Sequence, residues 1–515
     1  MTHLKRIPYA ILLSLLVCPS ANAQVPLHFE GTVPDSAETH FFIPFEVPEG
    51  TVEIEIQHAS GSSANILDWG LNDPSGFRGW GGGNTENAIV NADAASRSYV
   101  PGAIAAGTWN VVVGKAKIVE TPATYSVDVY LRTEPTLAAQ TERVPYSDPG
   151  VVTTGERWYK GDFHVHSRES GDSPAAMAAV LQAASDRGLD FILLSEHNTN
   201  SQLSYYASLR EQFPNLLVFP GVEFTTYSGH ANGIGSTQWV DHKIGVDGVT
   251  IEGAIDAFHS QNALFSINHA ALGFLGDLCI GCGWDWPVPP EKIDAFEVIT
   301  GAFVTSVELW NNMLNEGSHA AAIGGSDDHR AAMGTGATDA PIGTPTTFVY
   351  AKELSIDAIK KAILEGRTVV RTRSAKNAMV EFEIDGDRDG DTVYADSTVV
   401  RATFTDVESV AVASIVKNGE VIAETSVTSN PTTLEVTVDA PSSGEDRYRA
   451  QLGGLNSPSL VTSHLWLQPT ANNPNPPTPT KSGGGCSLHR AATSSIGLVA
   501  LIFAGFALRL RRRRH

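Results

Sequence analysis

The segment GDFHVHSRESGDSPAAMAAVLQAASDRGLDFILLSEHN, Gly161–Asn198, decides the fold class. Its second half reads as a helix followed by the apolar strand GLDFILLS, with Ser173 as the helix cap before Pro174. Farther along the chain, LLVFPGVEF and SIDAIKKAILEG repeat this alternation of buried strand and helix. Residues 158–377 are therefore predicted to form a block of β/α units with parallel strands, and several such units favour a barrel-like sheet.

Short alternating segments flank this block on both sides, which makes the predicted fold class multidomain, α/β plus β. Residues 24–133 contain HFFIPFEV, TVEIEIQHA, GTWNVVVGKAKI and ATYSVDVYL and are predicted to form a β-sandwich, with GWGGGNTENA as a flexible loop. Residues 134–157 are predicted to be a polar linker. Residues 378–468 again read as strands, and Asn418-Gly419 predicts a hairpin, so this segment is predicted to be an Ig-like β-sandwich.

Both ends of the chain indicate an exported protein. Residues 1–23 combine a basic start, an apolar run and a small-residue cleavage site, and are predicted to be a signal peptide. Residues 469–485 read as a Pro/Gly-rich linker, and 486–515 hold an apolar run long enough for a membrane span, followed by RLRRRRH. This tail resembles the C-terminal sorting signals of Gram-negative exported proteins, which a sorting protease removes. We expect export across the inner membrane, with the body either anchored by the tail or released to the periplasm or cell surface.

Composition limits the possible partners. The chain has 35 Lys and Arg residues against 57 Asp and Glu, a formal net charge of −22. This balance repels phosphate backbones and argues against a nucleic-acid partner. Cys279 and Cys282 are predicted to form a local disulfide, because a zinc site would need a second pair of ligands. The segment Asp385–Asp396 fits either a calcium loop or a tight acidic hairpin.

Histidines and acids recur where the predicted strands of the β/α block end. His164 and His166 are two residues apart, so on a strand both imidazoles point to the same face. Further strand ends carry SEHN, PGVE, GHANG, NHA and SDDH. Strand ends on one rim of a parallel barrel come together at the active site. Imidazole and carboxylate ligands suit zinc, manganese or iron, so the pattern predicts a site for divalent metal ions.

The motifs GDFHVHS, SEHN, PGVE, NHA and GGSDDH together resemble the successive motifs of the PHP (polymerase and histidinol phosphatase) metallohydrolase superfamily. Their spelling is closest to the CehA/McbA-type branch. The resemblance covers roughly Trp158 to Thr372. It implies a distorted (β/α)7 barrel, here between the two β-sandwiches, with two or three catalytic divalent metal ions at the C-terminal rim.

The resemblance also implies a set of ligands, in which Glu223 corresponds to a carboxylate that bridges two ions. The first motif ends SGD where the family often has SDG, which leaves open whether Asp172 or Glu169 contributes. The second motif reads SEH instead of TDH, so Glu196 is expected to lie behind the ligands. The other implied metal ligands, with His230 assigned to a third ion, are His164, His166, His197, His230, His269, Asp327 and His329.

These expectations combine into an exported, metal-dependent hydrolase of a small-molecule ester, in which a hydroxide bridging two ions attacks the substrate. The predicted catalytic residues are Glu223, Asp327 and Arg330, the last as a contact for an anionic substrate. The superfamily implies phosphoesters, but carboxylic or carbamate esters are the alternative, because the closest branch is named after an enzyme that hydrolyses a carbamate. A cell-surface binding module without catalysis is the third possibility. The loop GDLCIGCGWDWPVPP fits a pocket wall and a disulfide-stiffened surface loop equally well.

Overall fold

The computed structural model describes residues 25–302, 304–331, 339–387 and 392–474. The described residues up to Asn472 belong to one compact unit, which is mixed α/β and rich in sheet, with few helices. The predicted signal peptide, the Pro/Gly-rich linker from residue 475 onward and the C-terminal tail lie outside the described residues. Within the described ranges, no helix is long and apolar enough to cross a membrane.

The N-terminal region, residues 27–132, forms two four-stranded antiparallel sheets. Its strands are β1 (Leu27–Thr32), β2 (His40–Val47), β3 (Glu53–Ser60), β4 (Ile66–Asp73), β5 (Gly76–Gly82), β6 (Ala88–Asn91), β7 (Gly107–Lys117) and β8 (Thr124–Arg132). The strand orders are β1-β8-β3-β6 and β2-β7-β4-β5. Ile54, Trp69 and Trp109 from the two sheets are buried in one hydrophobic core. The four segments predicted to be strands correspond to β2, β3, β7 and β8.

The predicted flexible loop in this region begins inside a strand, so that expectation is wrong for its first half. GWGGGNTENA starts at Gly79, and β5 pairs with β4 as far as Gly82. Gly79 has a φ of 150°, and a Cβ atom at this position would collide with the Tyr99 ring. The glycine therefore permits close packing within the sheet rather than marking a loop.

The middle region between residues 153 and 371 contains eleven described strands and five described α-helices. The strands are β9 (Thr153–Val165), β10 (Phe191–Leu194), β11 (Leu217–Phe219), β12 (Gly221–Thr226), β13 (Gly229–Ile234), β14 (Leu264–Ile267), β15 (Ala295–Thr300), β16 (Val304–Thr305), β17 (Ala321–Gly325), β18 (Thr346–Leu354) and β19 (Thr368–Arg371). The helices are α1 (Met177–Asp186), α2 (Tyr206–Gln212), α3 (Ile251–Ser260), α4 (Val307–Asn315) and α5 (Ile356–Leu364).

Strands β9, β10, β12, β13, β14, β15 and β17 follow one another around a ring. β9 and β10 are parallel, and a parallel bridge between His197 and Glu223 connects the end of β10 to β12. β13 is antiparallel to both β12 and β14, whereas β14, β15 and β17 are parallel. A parallel bridge between Val165 and Asp328 connects the segment after β17 back to β9. The ends of β9, β10 and β17 are thereby brought next to one another.

Helix α1 begins later than the sequence predicts. Its N-cap is Ala176, so the predicted cap role of Ser173 is wrong. The Ser173 hydroxyl instead accepts the N–H of Ala175 at 3.2 Å and donates to the carbonyl oxygen of His329 at 2.7 Å. The Ser173 hydroxyl is therefore used in a local turn and in a contact with the last motif, and it does not cap the helix.

The C-terminal region continues the sheet of the middle region. Its strands are β20 (Met379–Ile384), β21 (Thr392–Tyr394), β22 (Ser397–Thr405), β23 (Val412–Lys417), β24 (Glu420–Ser426), β25 (Thr432–Asp439), β26 (Asp446–Gly454), β27 (Ser457–Thr462) and β28 (Leu465–Gln468). β19 pairs with β27, so one sheet runs β11-β10-β9-β18-β19-β27-β26-β23-β24 across the predicted boundary at residue 377. The sheet β20-β22-β25 shares a hydrophobic core with its C-terminal half.

Two local expectations fall in this C-terminal region. The hairpin predicted at Asn418-Gly419 is confirmed, since these residues join β23 to β24 and have φ values of 50° and 90°. Positive φ at both central positions is what a tight two-residue hairpin requires. The segment Asp385–Asp396, for which a calcium loop and a tight acidic hairpin were the two alternatives, is only partly described, because residues 388–391 lie outside the described ranges.

Candidate metal centre

The HxH pair at the end of β9 forms one side of the centre. His164 and His166 are fully buried, and their Nε2 atoms lie 3.1 Å apart. Alternation along a strand puts both imidazoles on one face, as the spacing predicts. Two ring nitrogens this close require a proton or a cation between them, because two lone pairs repel.

The carboxylate of Glu223, on β12, lies at the middle of the centre. Its Oε1 is 3.2 Å from His164 Nε2, 3.1 Å from His269 Nε2 and 3.4 Å from His230 Nδ1. Its Oε2 lies 2.7 Å from His197 Nδ1, but in a geometry that makes no hydrogen bond. The structure therefore brings the predicted bridging carboxylate into contact with imidazoles from several strand ends.

The segment after β17 brings in the last predicted ligands, together with one from the first motif. Asp327 Oδ1 is 3.3 Å from His164 Nε2 and 3.2 Å from His166 Nε2. Asp172 Oδ2 lies 3.2 Å from the Nε2 atoms of both His197 and His329. All nine predicted metal ligands thus belong to one cluster around Glu223.

Glu169 and Glu196, the two other acids considered as part of these motifs, have different partners. Glu169 accepts hydrogen bonds from Ser98 N at 2.9 Å and Ser201 Oγ at 2.7 Å, so it attaches the N-terminal region to the ring. Glu196 accepts the N–H and the hydroxyl of Ser167, and burial raises its pKa to about 8. Of the two candidates in the first motif, it is therefore Asp172 that reaches the imidazoles.

Several residues that orient the imidazoles were not predicted from the sequence. Glu297, a buried acid in the apolar strand β15, lies 2.8 Å from His164 Nδ1. Ser170 Oγ is 2.7 Å from His166 Nδ1, and the carbonyl oxygen of Cys282 is 3.1 Å from His269 Nδ1. Such contacts fix the tautomer and leave the other ring nitrogen free to bind a metal ion. The only signal in the sequence was a glutamate inside the otherwise apolar run AFEVIT.

The charges of the cluster are strongly coupled. Burial disfavours a charged His164, but the carboxylates of Asp327 and Glu223 outweigh it and raise the pKa of this imidazole well above its usual range. Burial and two neighbouring imidazoles lower the pKa of His166 to about 3. Burial opposes the ionised form of Glu223, yet the imidazoles around it hold its pKa well below the ordinary value. Glu223 therefore favours its anionic form, and the imidazoles around it supply the balancing positive charge.

The donor atoms fit divalent metal ions. Ligand atoms lie within 4.8 Å of one another in three groups of the cluster. Glu223 Oε2 and His230 Nδ1 are buried without a hydrogen-bond partner among the described residues, as expected for atoms that face an ion. A fourth group includes Cys282, but its sulfur is bonded to Cys279 in the predicted disulfide and is not a free thiolate. The three groups are His166, His197 and His329; His164, His166 and Asp327; and His164, Glu223 and His269.

A cavity of about 560 Å³ opens over the cluster, and the N-terminal region forms part of its wall. The loop GDLCIGCGWDWPVPP contributes Asp277, Leu278 and Ile280 to the lining of this cavity. Its two tryptophans, Trp284 and Trp286, pack against the hydrophobic core instead. Arg330 is exposed and does not line this cavity, so the structure does not bring the predicted anion contact into it. The lining residues from the N-terminal region are Ile66, Asp68, Trp80, Gly81, Gly82, Gly83, Asn84 and Ala116.

Comparisons with known proteins do not assign this chain to a family. No protein-family model matches the chain, and no curated protein does. One similar solved structure, from Bacteroides vulgatus ATCC 8482, is described as a two-domain protein containing a predicted PHP-like metal-dependent phosphoesterase. The match covers 64% of this chain and 100% of that chain, with 19% sequence identity and a TM-score of 0.35. At this identity and TM-score, the likeness carries no argument about fold or function.

Proposed function

We propose that the chain is a metal-dependent hydrolase of the PHP superfamily, and that its ring of strands is the distorted (β/α)7 barrel of that superfamily. The observation that supports this most directly is the buried carboxylate of Glu223, which lies within 3.4 Å of four imidazoles and keeps one oxygen without a hydrogen bond among the described residues. Buried charges of this kind need a cation among them, and bound metal ions would replace the protons that the rings otherwise share.

Two or three divalent ions, of zinc, manganese or iron, fit the groups built on His164, Glu223 and His197. When bound, such ions lower the pKa of water and polarise the oxygen of an ester. The protein orients the ligands through Glu297 and Ser170, which hold the outer nitrogens of His164 and His166. Asp172 is the most exposed of the nine candidate ligands, with 53% of its side chain accessible, so we infer that substrate enters from its side of the cluster.

Phosphoesters are the proposed substrates, on the strength of the superfamily resemblance and its motifs. Carboxylic or carbamate esters are the alternative, because the motif spelling is closest to the CehA/McbA-type branch and both reactions use the same metal chemistry. A non-catalytic binding module at the cell surface is the rival from another class, but each core motif keeps its histidine or acid. The predicted signal peptide and the predicted C-terminal tail are the grounds for export, and we propose that the body is either anchored by the tail or released to the periplasm or cell surface.

The test combines metal analysis with a small panel of substrates. Purified protein, reconstituted with zinc, manganese or iron, is assayed on bis(p-nitrophenyl) phosphate, p-nitrophenyl phosphate and p-nitrophenyl acetate. We expect stoichiometric metal and turnover of at least one ester, with a loss of about a hundredfold or more in Glu223→Gln. Glu308→Gln, an exposed glutamate on α4, is the matched control and should behave as wild type. Protein that binds no metal and hydrolyses none of the esters would favour the binding module.

A further inference from the structure

The wall that the N-terminal region places over the centre contains three consecutive glycines and one aspartate, Asp68. Gly81, Gly82 and Gly83 of this wall line the cavity next to Asp68. A Cβ atom at Gly171, on the loop of Asp172, would come 2.6 Å from the carbonyl oxygen of Gly81. The glycines thus allow the wall to approach the ligand loop at backbone distance, which places Asp68 inside the active-site cavity.

The side chain of Asp68 is held in a fixed position by Tyr227. Tyr227 Oη donates to Asp68 Oδ2 at 2.8 Å, and both residues line the cavity. This hydrogen bond needs Gly114 on β7, because a Cβ atom there would collide with the tyrosine hydroxyl. Asp68 Oδ1 makes no hydrogen bond among the described residues, and Asp68 has no basic ion-pair partner among them. One oxygen of a positioned, half-buried carboxylate therefore remains without a partner in the part of the chain that the structure describes.

The charges around the cavity point to the kind of group that this oxygen binds. The described lining residues include no Lys or Arg. Asp172, Glu223 and Asp327 belong to the metal centre, and Asp277 is paired with Lys117 at 2.7 Å. Asp68 is thus the one lining acid, among the described residues, that is neither at the centre nor paired with a base. Tyr227 and Trp80 also line the cavity, and aromatic rings are favourable neighbours for alkylammonium groups.

We propose that Asp68 and Tyr227 form a subsite for an ammonium group on the alcohol portion of the substrate, so that the substrates are esters of amino alcohols. This inference rests on the proposed hydrolase function. The metal centre binds the acyl or phosphoryl portion, and the wall of the N-terminal region selects the leaving alcohol. The N-terminal region is then part of the active site rather than an appended module.

The test uses two pairs of isosteric substrates that differ only in one positive charge. They are phosphocholine against 3,3-dimethylbutyl phosphate, and acetylcholine against 3,3-dimethylbutyl acetate. In the wild type, the charged member of the hydrolysed pair should have a kcat/KM higher by about tenfold or more, as for one coulombic contact between a quaternary ammonium and a carboxylate in a partly buried site. Asp68→Asn should bring this ratio close to one. Tyr227→Phe, which keeps the carboxylate, and Asp277→Asn, which removes a paired acid, should largely retain the preference.

A binding measurement separates this proposal from folding defects and from the hydrolase proposal. Calorimetry on the wild-type protein should detect choline and not its uncharged isostere 3,3-dimethylbutanol, with binding lost in Asp68→Asn at an unchanged Tm. A wild-type ratio near one with no choline binding, or a preference that survives Asp68→Asn, would overturn the subsite. Turnover of p-nitrophenyl esters in that case would leave the hydrolase proposal standing. If choline binds but no ester is hydrolysed, the hydrolase proposal fails instead.

Discussion

Two groups of buried histidines in this protein have opposite electrostatic surroundings. At the metal centre, carboxylates outweigh burial and raise the pKa of His164 and His197 well above the usual range. Where the N-terminal sheet meets the middle region, His40 and His242 are each 3% exposed, and their rings lie 5.4 Å apart. No carboxylate contacts these two rings among the described residues, and burial together with Lys243 lowers the pKa of both. Of the two groups, the one at the candidate metal centre has the carboxylates that divalent ions favour, and the other has none in contact among the described residues.

The largest expected difference between the two groups is in metal content. His166→Ala removes a ring whose Nε2 lies 3.1 Å from that of His164, so it should lose at least one ion per chain and most turnover. His242→Ala removes a ring of the same size from the second group, and should lower the free energy of unfolding without changing the metal content. Metal analysis and thermal unfolding of both variants check this. Equal metal content in the two variants would mean that the two groups of histidines do not differ in metal binding.

The parts of the centre that could be predicted are those whose members are close in sequence. His164 with His166 and Asp327 with His329 are each two residues apart at strand ends, and the strand period aligns the first pair directly. The hairpin at Asn418-Gly419 was predictable for the same reason, since its two residues set the turn. Local chemistry of this kind needs no knowledge of the tertiary structure.

The parts that could not be predicted depend on contacts between distant segments. Glu297 reaches His164 across 133 residues of sequence, and Tyr227 reaches Asp68 across 159. Nothing in the local pattern of either acid indicates its partner. The same limit explains why the N-terminal region was predicted to be a separate sandwich, although it contributes a wall to the cavity. Ser173 shows the converse error, because a good local cap pattern lost to a contact with His329.

A smaller effect is expected from Glu297, which orients His164 without being one of the predicted ligands. Glu297→Gln keeps the shape of the side chain but removes the charge that faces Nδ1, so metal affinity should fall by about 10- to 100-fold. Competition with a chelator measures this affinity. Glu381→Gln, on strand β20 of the C-terminal region, is the control and should leave the affinity unchanged. Wild-type affinity in Glu297→Gln would mean that His164 is held by packing alone.

The smallest expected effect is the response of the second group of histidines, His40 and His242, to low pH. Burial first, then Lys243 and Lys115, lower the pKa of His40 to about 3 from an ordinary value of 6.5. The unfolded chain therefore binds a proton at this residue below pH 6.5 that the folded chain does not. Stability must then fall as the pH drops from 6.5 toward 3, by about 2 kcal/mol at pH 5 for this one residue.

A comparison of variants is needed to detect this loss, because other groups titrate in the opposite direction. Burial raises the pKa of Asp68 to about 6, so the folded protein is stabilised when this carboxyl takes up a proton on acidification, and the metal centre adds its own pH dependence. These contributions cancel when wild type is compared with His40→Phe, which keeps a ring stacked against Tyr227. Urea unfolding at pH 7.5 and pH 5 should show a smaller decrease in the variant than in the wild type. Identical decreases would mean that His40 finds a proton acceptor in the folded protein, and the contrast between the two groups of histidines would then rest on metal content alone.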